Sequence, residues 1–134
     1  MLMQPNKSKY TKLQKGKIKK LEFKSNILKF GLIGLKATSS GIITARQLES
    51  ARQTINRKIK RKGKIWIRVF PSFPFTEKPI STRMGKGKGS VKFWGIKVSS
   101  GKIIFELCGV SQSKSLLALK SGSNKLPIKT KICY

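Results

Sequence analysis

"TARQLESARQTINRKIKRKGKIWIRVFP", Thr44 to Pro71, carries two periodicities in succession, and together they decide the fold class. Thr44 is a good N-cap, and Gln47 stands three residues on, the spacing of a capping box. Leu48, Ala51, Ile55 and Ile59 then recur at the 3.6-residue period of one helix face. Gly63 is the expected stop, since glycine readily takes the left-handed conformation that ends helices. From Lys64 the period changes to two. Ile65, Ile67 and Val69 fall on one face of a strand, and Trp66, Arg68 and Phe70 on the other. Pro71 and Pro74 are expected to stop that strand.

The segments on either side extend the pattern. "ILKFGLIGLKA", Ile27 to Ala37, is strand-like, with a bulge or a close backbone approach expected at a glycine. "SVKFWGIKVSSGKIIFELCGV" predicts a hairpin of Val91–Val98 and Lys102–Cys108, joined at Ser99, Ser100 and Gly101. A weaker helix follows in "SQSKSLLALKSGSNK", capped by Ser111 or Ser113 and weighted by Leu116, Leu117 and Leu119. "LPIKTKICY" is a final strand. Helices interspersed among strands in this order predict an α+β two-layer sandwich: a mixed or antiparallel sheet with two helices on it. Residues 25–134 are expected to form that single domain, behind a basic tail of residues 1–24.

The charge balance narrows the function. Thirty-one Lys and Arg face four acidic residues, a formal net charge of +27 over 134 residues, with no histidine. Such a chain repels itself and calls for a polyanion. Nucleic acid fits best, because each Lys or Arg that meets a phosphate releases a condensed counterion. The longest apolar stretch is near "FGLIGL", far short of the roughly 20 residues of a membrane span. No membrane insertion is expected, nor a signal peptide at "MLMQPNKSK". Acid–base catalysis needs histidine or paired carboxylates. Glu22, Glu49, Glu77 and Glu106 are scattered through the chain, and Cys108 and Cys133 lack metal-ligand spacing. An enzyme is not expected, and neither is a cofactor or a metal.

Three segments concentrate the cations. The tail carries Lys7, Lys9, Lys12, Lys15, Lys17, Lys19 and Lys20 and too little apolar surface to fold alone. The polar side of the first helix carries Arg46, Arg57, Lys58, Arg61 and Lys62. Arginine is scarce in this chain, and its use here favours phosphate, which its fork matches bidentately. Arg52, beside Ala51, is expected to turn partly inward. The third segment is "RMGKGKG": Arg83, Met84, Gly85, Lys86, Gly87, Lys88 and Gly89, within a loop at about 78–92. Its spacing fits neither a P-loop nor a dinucleotide fingerprint. It predicts a basic finger with a thin backbone, rooted at Arg83. At strand spacing, Phe93 and Trp94 are read as packing residues rather than base-stacking platforms.

"TARQLESAR", "KRKGKIWIRVFPSFPFTEKP", "RMGKGKGSVKFW" and "NKLPIKT" occur in the order and spacing of one family. The chain resembles the bacterial-type large-subunit ribosomal protein of number sixteen over essentially its whole length. That resemblance implies a hammerhead-like α+β sandwich bound to large-subunit rRNA near the central protuberance and the peptidyl-transferase region. It also implies transient contact of the glycine-rich loop with tRNA, and neighbouring large-subunit ribosomal proteins as partners. The segment after Gly109 lacks the family's acidic helix start, so a degraded second helix is expected. A free basic nucleic-acid chaperone or regulator is the alternative reading. The excess of lysine over arginine, with many Ile, Asn and Ser, suggests an A+T-rich gene and a protein made inside a mitochondrion. A plastid or a bacterial cytoplasm is the alternative location.

Overall fold

The computed structural model describes residues 3–18 and 21–134 and has the α+β class, with two helices and two antiparallel sheets. In chain order the elements are β1 (Ile33–Ala37), β2 (Gly41–Thr44), α1 (Ala45–Lys58), β3 (Lys64–Ile67), β4 (Phe73–Glu77), β5 (Ser90–Val98), β6 (Ile103–Cys108), α2 (Gln112–Ser123) and β7 (Thr130–Cys133). The four-stranded sheet runs β3-β6-β1-β7 and the three-stranded sheet β2-β5-β4.

The expected hairpin of the two long strands does not form. β5 pairs with β2 and β4, while β6 pairs with β1 and β3. The turn at Ser99–Gly101 carries the chain from one sheet to the other. It is held from outside, by Gly101 N–H on the Ala37 carbonyl and by the Ser100 carbonyl accepting from Glu22 N–H (2.8 and 2.9 Å). β4 is an edge strand, which is why Pro74 sits inside it rather than ending the extended run. The true hairpin is β4–β5, paired from Phe73↔Gly95 to Glu77↔Ser90, and the glycine-lysine loop is its connection. That loop therefore ends at Gly89, since Ser90, Val91 and Lys92 already belong to β5.

The start of α1 follows the sequence. Thr44 Oγ1 accepts from Gln47 N–H (3.2 Å), and Gln47 Oε1 accepts from Thr44 N–H (2.9 Å), a complete capping box. Leu48, Ala51, Ile55 and Ile59 are all buried in the core. The end of the helix differs. Lys60 N–H bonds the Arg57 carbonyl and Arg61 N–H the Asn56 carbonyl, the paired bonds of a Schellman cap. Lys60, at φ 54°, takes the left-handed place expected of Gly63. Gly63 lies further on, at φ 78°, where a side chain would run into the Cys108 carbonyl.

The second helix is intact, twelve residues from Gln112 to Ser123, although its N-cap Ser111 makes no side-chain cap bond. It persists because α1 receives it: Ser115, Ala118, Leu119 and Gly122 are buried. A Cβ on Gly122 would stand 2.5 Å from Ile55 Cγ1, so the bare glycine sets how closely the helices approach. Leu117 faces solvent.

Candidate nucleic-acid interface

All four carboxylates are occupied within the fold. Glu49 accepts from Arg52 Nε and Nη2 (2.9 and 2.6 Å), and these bonds, outweighing burial, hold its carboxyl below the usual range. Arg52 is thereby spent on its own helix rather than turned into the core. Glu77 pairs with Lys92 across the β4–β5 hairpin (2.6 Å), and Glu22 lies 4.0 Å from Lys102. Glu106, fully buried, pairs with Arg68 and accepts from the backbone N–H groups of Phe30 (2.7 Å), Gly31 (2.8 Å) and Lys29 (3.2 Å). Burial works to raise this carboxyl. The amides of Gly31 and Phe30, Arg68 and the Lys29 amide overcome it and hold the group below its ordinary value. The bonds pin the strap before β1 across the four-stranded sheet. Phe30 stacks on Trp66 there (6.1 Å between centroids), and Arg68 lies over the Phe30 ring. With the acids so used, the remaining cations are free to face an external anion.

The predicted site residues fall into three places. The first is the glycine-lysine loop. Gly85, Lys86 and Gly87 take left-handed φ of 95°, 53° and 78° in succession, and nothing lies within 4 Å of where a Cβ on Gly85 or Gly87 would stand. Met84 is almost fully exposed, and Arg83 and Lys86 are exposed without an ion pair or hydrogen bond among the described residues. Gly89 serves differently: any side chain there would strike the Glu77 carbonyl, so it closes the neck of the loop. The root is thus Glu77 against Gly89, and Arg83 stands out along the loop rather than at its base. Lys88 is held in place by a bond from its Nζ to the Leu13 carbonyl, a neutral acceptor that leaves its charge available to an external anion.

The second place is the basic arm. Lys7, Lys9, Lys12, Lys15 and Lys17 are exposed on a segment without helix or strand. Lys19 and Lys20 lie outside the described residues. The arm rests on the three-stranded sheet. Lys12 Nζ donates to the Lys88 carbonyl (3.0 Å), returning the bond from Lys88 to Leu13, and Lys97 Nζ donates to the Lys15 carbonyl. Arm and loop are brought together by reciprocal lysine-to-carbonyl bonds between residues about seventy-five apart in sequence. No reading of local composition contains them.

The third place is α1. Arg46 and Arg57 are eleven residues apart and share its exposed face, separated by about 16 Å along the axis. Arg57 and Lys58 line a polar depression with Ser50, Gln53, Thr54 and Lys125. Lys125, just past α2, was not singled out by sequence; its neighbours lie about seventy residues away, and only the helix pairing reveals it. Arg61 and Lys62 lie beyond the helix, Arg61 within the Schellman cap itself and Lys62 just after it, so the expected single helical face is shorter than predicted. Arg46 instead borders a groove of about 550 Å³ with Gln4, Thr44, Ala45 and β5 residues Val91 to Trp94.

An α+β fold whose acids are paired internally, and whose exposed cations include those of an arm, a glycine loop and a helix, has the character of a polyanion-binding protein of the ribonucleoprotein type. Residues 5–133 match the family model for ribosomal protein L16p/L10e. The chain is 50% identical over 131 residues to the large ribosomal subunit protein uL16 of Psychrobacter arcticus, covering 98% of this chain and 96% of that one. It is 49% identical over 129 residues to the protein of the same name in Buchnera aphidicola subsp. Cinara cedri (96% and 94% covered), and 47% over 129 to that of Leptospira biflexa serovar Patoc. The chain belongs to the ribosomal protein L16p/L10e family. It is a structural constituent of the large ribosomal subunit and not an enzyme.

Proposed function

We propose that the chain binds large-subunit rRNA through the arm of residues 1–24, the exposed face of α1 and the glycine-lysine loop, near the central protuberance and the peptidyl-transferase region. Residues 25–134 supply the rigid domain, and the loop reaches toward bound tRNA. Neighbouring large-subunit proteins complete its surroundings. The observation that carries this reading is the loop itself. Three successive left-handed residues project with open space beside Gly85 and Gly87, the Gly85 carbonyl held by Lys78 Nζ (2.6 Å) and Arg83 and Lys86 unspent, beside an arm that is also cationic. A backbone this thin suits close approach to a phosphate-lined surface, and lysine supplies charge there without demanding one geometry.

The ribosome in question is assigned to a mitochondrion. The support is compositional: 25 lysines against 6 arginines, with many Ile, Asn and Ser, the usage of an A+T-rich gene. Sedimentation tests the functional reading. The protein is expected to travel with large subunits at moderate salt and to be recovered from matrix ribosomes. Recovery in ribosome-free fractions would favour the free nucleic-acid chaperone, and recovery from plastid or bacterial ribosomes would relocate it.

A further inference from the structure

The groove beside Arg46 arises from a mismatch in strand length. β2 pairs with β5 only as far as Thr44↔Gly95, whereas β5 begins at Ser90. Val91 to Trp94 therefore border an open channel on the side away from β4, with the start of α1 as its end wall and Gln4 of the arm across it. The channel, about 550 Å³, is the size of a small-ligand site and too small for a duplex.

Its lining is specific in chemistry. Phe93 stacks on Phe75 with one face (5.0 Å between centroids, 15° between planes) and remains 36% exposed. Trp94 is half-buried and has no aromatic partner among the described residues. Arg46 is exposed and makes no ion pair or hydrogen bond among the described residues. Lys92 is tied to Glu77 and adds little net charge. Gln4 offers an amide with both donor and acceptor. An aromatic wall, a free guanidinium and an amide are the groups by which proteins hold an unstacked base and its phosphate.

We propose that this groove holds one extruded nucleotide of single-stranded RNA, its base against Trp94 and its phosphate at Arg46. Trp94 then has a role beyond the packing expected of it, while Phe93, next along β5 and stacked on Phe75, keeps its packing role on the other face. The proposal rests on the rRNA-binding reading and names the form of RNA that this part of the surface takes. A peptide strand added to the open edge of β5 would use the backbone and leave the indole and guanidinium idle, so the side chains favour RNA.

The test uses the full chain carrying Trp66→Phe, which leaves Trp94 the only tryptophan. Short oligoadenylate, an RNA duplex of matched charge and heparin are titrated separately. Oligoadenylate is expected to quench Trp94, and the duplex and heparin to bind without quenching. Trp94→Ala should weaken oligoadenylate binding about tenfold while leaving duplex affinity unchanged. Arg46→Gln, an exposed change that keeps the fold, should lower oligoadenylate affinity and its salt slope by roughly 0.7. Equal quenching by heparin or duplex, no quenching by oligoadenylate, or an unchanged response in Arg46→Gln would overturn the proposal. Stronger quenching by a β-strand peptide would assign the groove to strand addition and overturn it too. A chain that binds none of the RNAs would sink the rRNA-binding reading as a whole; one that binds RNA with a silent Trp94 would sink only the groove.

Discussion

Replacing Glu106 by glutamine tests how the fold holds its strap. The carboxylate uses both oxygens: Oε2 accepts from the amides of Phe30, Gly31 and Lys29, and Oε1 from Arg68 and Lys29. Glutamine supplies one acceptor, and its NH₂ must face either the amides or the guanidinium, donor against donor. Arg68, largely covered, keeps its charge without a counter-charge. Breaking one side of a buried pair costs about 3–5 kcal/mol. For a domain of this size that is a fall of roughly 10–20 °C in Tm. The assay is thermal unfolding of the free protein at moderate salt, where self-repulsion is screened, with hydrogen exchange at Phe30 and Gly31 reporting release of the strap. The pH dependence has a definite sign. Because the folded carboxyl lies below its ordinary value, its contribution is complete above the unfolded range near pH 4.3 and is lost as pH falls through the folded value. Wild type and variant should therefore converge in acid and differ fully at neutral pH. Adding Arg68→Met should recover part of the loss, because both charges are then gone. A loss under about 1 kcal/mol at neutral pH, or a double variant as unstable as the sum of the singles, would refute this reasoning.

Gly122→Val should destabilise the fold by about 1–3 kcal/mol by forcing Ile55 and α1 away, measured by urea unfolding; an unchanged midpoint would mean that the helices are not set by that contact. Gly87→Val meets no protein atom but strains a left-handed φ of 78° by about 1–2 kcal/mol; because the loop contributes no core, that strain should reshape the loop rather than unfold the domain, and should impair tRNA binding by reconstituted particles. Lys86→Ala should impair that binding less; the reverse order would show that close approach is not what the glycine serves. Arg57→Lys keeps the charge and loses the fork, and should weaken rRNA binding by a few-fold. Equal filter-binding affinity would make that face merely solvated.

What local sequence determines was readable in advance. The capping box and the stripe of α1 depend on residues three and four apart, and both formed as spaced. The partition of strands between two sheets was not readable. Val91–Val98, a short turn and Lys102–Cys108 have the pattern of a hairpin, and what diverts them is contact of the turn with Glu22 and Ala37, each more than sixty residues away. Glu106 looked like a stray acid because most of its partners are backbone amides, which carry no side-chain signature, lying about seventy-five residues upstream. The site divides the same way. Charge and glycine content marked the arm and the loop, and the Glu49–Arg52 pair is an i,i+3 contact that the spacing on α1 already offers; the bond from Lys88 to the Leu13 carbonyl and the place of Lys125 in the α1 depression needed the fold.

The central claim is that loop, arm and α1 face rRNA in the assembled large subunit. It is tested most directly by tethered hydroxyl-radical cleavage. A radical source is attached to a single cysteine placed at Lys86, at Lys9 or at Arg57, in a chain carrying Cys108→Ser and Cys133→Ser, and the labelled proteins are incorporated into large subunits. Strong rRNA cleavage is expected from all three positions, with the Lys86 source also cutting bound tRNA. Intact rRNA around the Lys86 and Lys9 sources, in particles shown to contain the protein, would contradict the account.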